Sequence, residues 1–200
     1  MQSLHSLVLK FSDPTLVKKI QAGGIGVMPT DTLYGLVGRA LSRSVVKQIY
    51  RLRKRDRNKP FIVLISSFMD LRACGVVIDK KTRIFLSRVW PGKVSVILPC
   101  ISKRFHFLHR GTKTIAFRMP RPPRLRALLK KAGPLVAPSA NLQGLPPATT
   151  IQEAKAYFGN RVDFYVDQGR LRSLPSTLIG LENGTWVVRR QGASRLPAFT

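Results

Sequence analysis

The spacing of apolar and polar residues alternates along the chain between a helical period and short, continuously apolar runs. In "SVVKQIYRLRKR", Val45, Val46, Ile49 and Leu52 fall on one side of a helix, the spacing expected when a helix packs on a core. "FIVLI" (61–65) is apolar throughout, which is typical of a strand buried on both faces. Helices and strands that alternate in this way predict a layered α/β domain.

Residues that start and stop helices place the remaining elements. The first helix begins at Ser12 or Asp13, has Pro14 in its first turn and ends at glycines, as helix boundaries favour. After the strand "GIGVM", the pattern predicts an ordinary helix, and it predicts a polar, His-containing loop before "TIAFR". Predicted helices cover 12–24, 44–55, 79–90, 123–133 and 150–160; predicted strands cover 24–28, 61–65, 93–99, 114–118, 134–139, 162–166, 176–180 and 185–190. Because Asn183-Gly184 is a strong hairpin signal, we expect a mixed rather than an all-parallel sheet.

Length and composition predict a single globular domain over residues 1–200. The chain is 44% hydrophobic, a fraction typical of globular proteins. Its apolar runs are all shorter than the roughly 18 residues of a membrane span, and its N-terminus has no signal-peptide layout, so we expect no membrane association and a cytoplasmic location. Cys74 and Cys100 are too few for a disulfide framework, and we expect two buried thiols.

Net charge is the strongest compositional feature. Thirty-five Lys and Arg against nine Asp and Glu give +26, and no acidic residue occurs between Lys80 and Gln152. Such a charge opposes compactness, and an anionic partner, either nucleic acid or a small polyanion, would screen it. The alternative to an anionic partner is that a basic surface is common to the proteins of a salty or RNA-rich cytosol. We expect RNA contact without sequence specificity.

The stretch "PTDTLYGL" (29–36) combines three hydroxyls and one carboxylate directly after a predicted strand. The carboxyl ends of strands are where open α/β sheets bind ligands. Thr30, Thr32 and Tyr34 could hydrogen-bond a ligand there, and Gly35 would let the backbone turn tightly. The alternative is a turn whose hydroxyls satisfy their own backbone.

Two further stretches have the composition of anion sites. "RLRKRDRNK" (51–59) runs directly into a predicted strand, which would hold its guanidinium groups rigidly enough to bind phosphate; a solvated charge run is the alternative. In "APSANLQGLPPATT" (137–150), the hydroxyl of Ser139 and the amide of Asn141 could form an anion cradle. A stiff connecting loop is the alternative for this second stretch.

Several familiar motifs are absent from the sequence. "PGKVS" departs from the phosphate-loop pattern, and "GGIGVM" does not complete a dinucleotide fingerprint. His5, His106 and His109 offer no metal constellation, and the last two are expected in a partly exposed loop. Composition and spacing therefore support a basic α/β domain that binds anions.

Taken together, these stretches resemble the YrdC-like family, the threonylcarbamoyl-AMP synthases of TsaC type. The resemblance extends from about Ser12 to Ala193 and is closest to the short, single-domain members. Six segments carry it in family order: "MPTDTLYGL", "IYRLRKRDRNKPFIVLI", "WPGKVSVILP", "TIAFRMP", "PLVAPSANLQG" and "PSTLIG…VVRRQGA". It implies an α/β fold with a twisted, mixed parallel and antiparallel sheet, flanking helices and a basic concave face.

The resemblance implies a nucleotidyltransferase that joins L-threonine, bicarbonate or carbon dioxide, and ATP. The threonine amine would become a carbamate that attacks the α-phosphate and expels pyrophosphate, with Mg²⁺ accompanying ATP and no metal site in the protein. The product, threonylcarbamoyl-AMP, would pass to a transferase for threonylcarbamoyladenosine modification of tRNA. The alternative is an RNA-binding module, for double-stranded RNA or tRNA, on the same fold.

Position by position, the resemblance assigns roles to particular residues. The threonine-binding residues would be Thr32, Arg118, Ser139 and Ser176. The ATP-binding residues would be Arg55, Lys59, Thr114, Asn141, Thr149 and Arg190. The catalytic residues would be Arg53, Arg55, Ser139 and Asn141. Departures from the family pattern are Arg53 for lysine, Lys59 for asparagine, Leu64 for histidine, Gln143 for serine and Gly180 for aspartate.

Overall fold

The computed structural model describes residues 7–56 and 58–196, so His5 lies outside the described residues. Seven helices are assigned within these ranges: α1 Pro14–Gln21, α2 Arg43–Leu52, α3 Met69–Ala73, α4 Lys80–Val89, α5 His106–His109, α6 Pro123–Ala132 and α7 Ile151–Phe158. The strands are β1 Leu7–Leu9, β2 Gly26–Pro29, β3 Tyr34–Arg39, β4 Ile62–Leu64, β5 Val94–Pro99, β6 Thr114–Arg118, β7 Leu135–Val136, β8 Phe164–Val166, β9 Thr177–Glu182 and β10 Thr185–Arg190. Among the described helices, none is long and apolar enough to cross a bilayer.

The described strands form one mixed sheet in the order β1-β8-β2-β3-β7-β4-β6-β5-β9-β10. β4 and β6 are parallel, whereas β7 is antiparallel to both of its neighbours, β3 and β4. The predicted hairpin between β9 and β10 is confirmed, with positive φ angles of 48° at Asn183 and 79° at Gly184, as a tight two-residue turn requires. The prediction of a mixed α/β sheet with flanking helices is therefore confirmed, and the basic concave face stays a prediction.

Helices cover both faces of the sheet. Successive strand residues alternate between two core clusters, as Val27 and Met28 do, because neighbouring side chains on a strand point to opposite faces. α1 and α6 supply Leu16 and Leu129 to one cluster, and α2, α4 and α7 pack on the other. Fully buried Leu64 lies in the α1–α6 cluster and outside the candidate site described below.

Four regions differ from the sequence prediction. "YGLVGR" forms β3 instead of a helix, although its two glycines lower the strand signal. Residues 103–109 form a short 3-10 helix and α5 instead of a polar loop. His109 is buried there: the Gly111 N–H donates to its Nδ1 at 3.1 Å, and its Nε2 lies 3.3 Å from the carbonyl oxygen of Ser102. β1 and α3 are also additional to the predicted elements.

Other boundaries follow from local chemistry. Asp13 caps α1 by accepting from the backbone N–H of Thr15 at 2.8 Å, which settles the choice between Ser12 and Asp13. α2 ends at Leu52, three residues before the predicted end, and the residues that follow it line the candidate site. Cys74 and Cys100 are free and buried, as predicted, and burial raises the pKa of Cys74 to about 12.

Candidate active site

A cavity of about 230 Å³ lies over the central strands, where the β2–β3 turn meets the segments that follow α2, β6 and β7. Its lining combines guanidinium groups, hydroxyls and an apolar wall. The arginines are Arg53, Arg55, Arg118 and Arg190; the hydroxyl residues are Thr30, Thr32, Tyr34, Ser139 and Ser176; the apolar wall is formed mainly by Leu33, Pro60, Phe61, Ile62, Ala137, Pro138, Pro147 and Pro175. The cavity therefore unites residues from all three candidate stretches.

The hydroxyl groups of the β2–β3 turn have two different roles: some hydrogen-bond the protein itself, and one is available to the cavity. The Thr30 hydroxyl donates to the carbonyl of Leu33 at 2.7 Å, and the Tyr34 hydroxyl donates to the carbonyl of Gly169 at 2.7 Å. Both are committed to protein groups, which corrects the expectation that all three hydroxyls could receive a ligand. The hydroxyl of Thr32 has a 3.3 Å contact with that of Thr30 and lines the cavity, so it is the best placed of the three to meet a ligand.

Gly35 has a different role from the predicted tight turn. It lies within β3 and forms an isolated antiparallel bridge with Ser139. A Cβ atom at Gly35 would approach the methyl group of Thr30 to 3.0 Å, closer than most real contacts. Glycine therefore leaves room for Thr30 within the β2–β3 turn, whereas the loop after β7 would be met only at ordinary distances of 3.5 Å or more.

The loop after β7 is held rigidly around Asn141. The hydroxyl of Ser139 donates to Asn141 Oδ1 at 2.7 Å, and Asn141 Nδ2 donates to the carbonyls of Leu142 and Leu145 at 2.8 and 2.7 Å. Asn141 itself is buried, so every polar atom of its amide group has a protein partner. This loop is a fixed wall that presents Ser139 to the cavity.

Arg53 connects this loop to the end of α2. Its Nε donates to the Asn141 carbonyl at 2.9 Å, and its Nη2 donates to Asn141 Oδ1 at 2.7 Å. Burial is the main reason that the pKa of Arg53 falls to about 10, so the group remains charged at neutral pH. Gln143 supports the same junction, since its N–H donates to the Arg53 carbonyl at 2.9 Å and its Oε1 accepts from Asp56 N at 2.8 Å.

Arg55 forms the opposite edge of the cavity. Its Nε donates to the carbonyl of Lys59 at 3.1 Å, and its guanidinium carbon lies 5.4 Å from the ring centroid of Phe61. Burial lowers the pKa of Arg55. Of the two terminal guanidinium nitrogens, Nη2 has a long 3.5 Å contact with the Pro60 carbonyl among the described residues. Both terminal nitrogens are therefore available to an anion.

Arg118 is paired with a carboxylate that the sequence analysis did not assign. Its Nη2 lies 3.0 Å from Asp31 Oδ1, with side-chain exposures of 4% and 2%. Among the described residues, neither carboxylate oxygen of Asp31 nor Arg118 Nε has a hydrogen-bond partner with suitable geometry. The two side chains are therefore held together by the attraction of their opposite charges. Burial lowers the pKa of Arg118 and the charge of Asp31 opposes this effect. The signal available in the sequence was the acidic residue within "PTDTLYGL", directly after a predicted strand.

Ser176 and Arg190 are joined on the far side of the cavity. Arg190 Nη2 donates to the Ser176 carbonyl at 2.9 Å, and the Ser176 hydroxyl shares a 2.8 Å hydrogen bond with that of Ser95. Burial lowers the pKa of Arg190. The segment after Arg190 then passes closely over Ser176 at Gly192, where a Cβ atom would lie 2.2 Å from the Pro175 carbonyl oxygen.

We expect Gly192→Ala to disturb the cavity because the added methyl group would collide with backbone rather than with a flexible side chain. Overpacking of this kind costs about 1–3 kcal/mol, and displacement of Ser176 should weaken ligand binding. Urea unfolding measures the first effect. Gly180→Ala is the matched control, since its Cβ would meet ordinary contacts of 3.7 Å or more. Equal stabilities of the two variants would contradict this interpretation.

Four assigned residues lie outside the cavity lining: Asn141, described above, and Lys59, Thr114 and Thr149. Lys59 is exposed and lies 3.8 Å from Asp56. Thr149 accepts at 2.7 Å from Arg170 and contacts Glu153 near the start of α7. Thr114 shares the sheet face of Arg118 but lies four residues away, about 13 Å along the strand. Their predicted contacts with ATP would require a ligand that extends beyond the cavity.

The charge of the cavity suits two anions held together. Of its four guanidinium groups, that of Arg118 is paired with Asp31 from outside the lining. Those of Arg53, Arg55 and Arg190 face no lining carboxylate among the described residues, and guanidinium forks match phosphate and carboxylate oxygens. Within the described part of the chain, no group of three His, Cys, Asp or Glu residues could hold a metal ion.

Comparison with known proteins gives consistent matches over most of the chain. The profile of the Sua5, YciO and YrdC family, described as "Telomere recombination", matches residues 18–192. A threonylcarbamoyl-AMP synthase of Pyrococcus abyssi is 31% identical over 175 residues, 86% of this chain and 52% of the relative. A putative threonylcarbamoyl-AMP synthase of Mycobacterium tuberculosis is 31% identical over 177 residues, 88% of this chain and 82% of the relative.

A solved structure supports the same grouping. The crystal structure of P. abyssi Sua5 complexed with L-threonine matches with a TM-score of 0.81 and 30% identity, over 89% of this chain and 53% of that chain. The chain spans about half the length of the archaeal relative. The match therefore covers one part of that longer protein.

Proposed function

The chain belongs to the Sua5, YciO and YrdC family, and we propose that it is a threonylcarbamoyl-AMP synthase. The observation that carries the proposal is the cavity itself, in which Arg53, Arg55, Arg118 and Arg190 surround a space next to Ser139. The substrates would be L-threonine, bicarbonate or carbon dioxide, and ATP. The adenylate would pass to a transferase that modifies tRNA, and the cytoplasm is the compartment that we propose for this reaction.

The reaction requires two anions to approach each other. The neutral threonine amine adds to carbon dioxide and releases one proton to water, which gives a carbamate anion. A carbamate oxygen then attacks the α-phosphorus while the bond to pyrophosphate breaks. Both reactants are negatively charged, so fixed cations lower the repulsion between them. Holding both in one cavity also removes an entropic part of the barrier, up to about 7–11 kcal/mol in favourable cases. An ionised carbamate is already a nucleophile, so this step needs no general base.

The cavity has two ends that suit the two substrates. At one end, Arg118 contacts the hydroxyl of Thr30, which in turn contacts that of Thr32. Arg190, whose charge helps to lower the pKa of Arg118, holds Ser176. Thr32, Arg118 and Ser176 form a set that can bind a carboxylate and a small hydroxyl side chain. The opposite end has Arg55 beside the apolar surface of Pro60 and Phe61, which suits a nucleotide. We assign threonine to the first end and ATP to the second. Lys59, Thr114, Asn141 and Thr149 remain proposed ATP contacts, although Asn141 acts mainly through Arg53 and Ser139.

The proposal predicts pyrophosphate release that depends on threonine. Incubation of the protein with ATP, magnesium, bicarbonate and threonine should yield pyrophosphate and threonylcarbamoyl-AMP, measured by enzyme-coupled phosphate detection and mass spectrometry. Thr32→Val should raise the KM for threonine more than that for ATP, and Arg55→Ala should have the opposite effect. Pyrophosphate release without threonine, or none at all in the folded protein, would contradict the proposal.

A second candidate function is RNA contact. The net charge of +26 exceeds what one triphosphate and one amino acid would balance, and charge of this size favours polyanion binding. A synthase and an RNA-binding protein are compatible functions for one domain. Steep salt dependence of tRNA or duplex RNA binding would support this candidate, and such binding should survive alanine substitution at Ser139.

A further inference from the structure

The turn after α2 carries two of the cavity arginines on either side of one residue in an unfavourable conformation. Arg53 and Arg55 both line the candidate active site. Lys54, between them, is exposed and has a positive φ of 49°. This left-handed conformation is unfavourable for a residue with a Cβ atom, so the surrounding structure must hold Lys54 in place.

The hydrogen bonds of this turn are those of a helix end at which glycine is usual. The Lys54 N–H donates to the carbonyl of Arg51 at 3.1 Å, and the Arg55 N–H donates to the carbonyl of Tyr50 at 3.1 Å. These two bonds define the Schellman motif, whose left-handed residue is most often glycine. Because lysine occupies the glycine position in this chain, the turn is less stable by itself than the usual version.

Gln143, in the loop after β7, is hydrogen-bonded to this turn on both sides of Lys54. Its backbone N–H donates to the carbonyl of Arg53 at 2.9 Å, and its side-chain Oε1 accepts from the backbone N–H of Asp56 at 2.8 Å. A residue of any type except proline could make the first bond, whereas the second depends on the glutamine side chain. We call the two bonds together the Gln143 clamp.

The clamp connects the turn to a loop that other contacts hold in place. Asn141, two residues before Gln143, is buried and donates to the carbonyls of Leu142 and Leu145. The same residue accepts two hydrogen bonds from the Arg53 side chain. Gln143 therefore extends a fixed wall of the cavity to the backbone of Asp56, on the far side of the left-handed residue.

Arg55 depends on the clamp more than Arg53 does. The side chain of Arg53 is fixed by its own bonds to Asn141. That of Arg55 has one ordinary hydrogen bond, from Nε to the carbonyl of Lys59 at 3.1 Å. Because Arg55 directly follows Lys54, a change of the backbone angles at Lys54 would redirect Arg55 away from the edge of the cavity.

We propose that Gln143 is a positioning residue for ATP binding. Its side chain holds the left-handed turn at Lys54 and thereby keeps the guanidinium group of Arg55 at the edge of the cavity. The inference deepens the proposed function, on which it rests for the identity of the nucleotide. Since Gln143 is a departure from the family pattern, in which serine is common, the side-chain bond of the clamp belongs to this chain's own sequence.

The test is a double-mutant cycle between Gln143 and Lys54, with the Kd for ATP in the presence of magnesium measured by isothermal titration calorimetry. Gln143→Met keeps the length of the side chain but removes the acceptor. It should raise the Kd for ATP about 3–10-fold, the effect of losing one ordinary hydrogen bond. Glycine adopts the left-handed conformation without strain, so in a Lys54→Gly background the same substitution should raise the Kd less than about twofold. The charge lost with Lys54 cancels in the cycle.

Two further measurements separate positioning from a general loosening of the cavity. The Kd for L-threonine should be unchanged in Gln143→Met, because Thr32, Arg118 and Ser176 do not contact the clamp. Gln152→Met is the matched control, since Gln152 is exposed on α7 and outside the cavity lining, and its Kd for ATP should equal that of the wild-type protein.

Three results would overturn the inference: a Kd for ATP in Gln143→Met equal to that of the wild-type protein, the same increase with and without Lys54→Gly, or an equal loss of affinity for threonine. Its failure is distinguishable from that of the proposed function. Wild-type protein that binds ATP in this Gln143-dependent way but releases no pyrophosphate with threonine would refute the synthase and leave the inference standing. Folded wild-type protein that does not bind ATP would overturn both.

Discussion

Asp31→Asn is expected to destabilise the protein by about 3–5 kcal/mol, the usual result of removing one partner from a buried ion pair. The substitution keeps the shape of the side chain but leaves the Arg118 guanidinium charged and almost fully buried. Arg118 would then move to find water or another partner, and the KM for threonine should rise as well. Urea unfolding at neutral pH and threonine-dependent kinetics measure the two effects.

The double variant Asp31→Asn/Arg118→Met separates the stability effect from the binding effect. Removing the second charge eliminates the unpaired buried cation, so the double variant should be more stable than Asp31→Asn alone. Its KM for threonine should remain high, because the guanidinium group that would bind threonine is gone. A free energy of unfolding for Asp31→Asn within about 0.5 kcal/mol of wild type, the range of ordinary surface changes, would show that the pair is unimportant.

Arg53→Met is expected to lower kcat by about 10²–10³-fold, the range observed when one preorganised donor is removed from an active site. Methionine fills a similar volume but supplies neither the positive charge nor the two hydrogen bonds to Asn141. The loop that presents Ser139 should also loosen, at a cost of about 1–3 kcal/mol for the unpaired Asn141 acceptors. The measurement is the rate of threonine-dependent pyrophosphate release at saturating substrates.

Arg51→Met is the matched control, because Arg51 is in the last turn of α2, two residues before Arg53, but is exposed and outside the candidate active site. Its kcat should equal that of the wild-type protein. Arg53→Lys tests the need for the guanidinium fork, since lysine keeps the charge but cannot donate from two fixed nitrogens to both Asn141 oxygens. If the kcat of Arg53→Met equals that of the wild-type protein, Arg53 has no role in the proposed reaction.

The position of Arg53 also changes how the catalytic assignments are understood. The sequence suggests four residues that act directly on the substrates. In the folded chain, however, the side-chain amide of Asn141 is hydrogen-bonded to Arg53, Leu142 and Leu145. We therefore propose that Asn141 positions Arg53 and Ser139, with which it is hydrogen-bonded. Gln143, a departure from the family pattern, strengthens the same junction through Arg53 and Asp56.

The sequence by itself determined the layered α/β class, the hairpin at Asn183-Gly184 and the three stretches that contribute to the cavity. These features depend on local patterns: apolar spacing, helix caps, turn residues and motifs read in order along the chain. The helical spacing of α2 and the cap at Asp13 are local signals of this kind.

Only the tertiary structure decided which of the assigned residues share a cavity and which polar groups are already occupied. Thr30 and Tyr34 looked as available as Thr32, yet their hydroxyls bind the carbonyls of Leu33 and Gly169. The pairing of Asp31 with Arg118 joins positions far apart in the sequence. Such contacts depend on how strands are ordered in the sheet, and no local pattern encodes the distance between two side chains that the fold brings together.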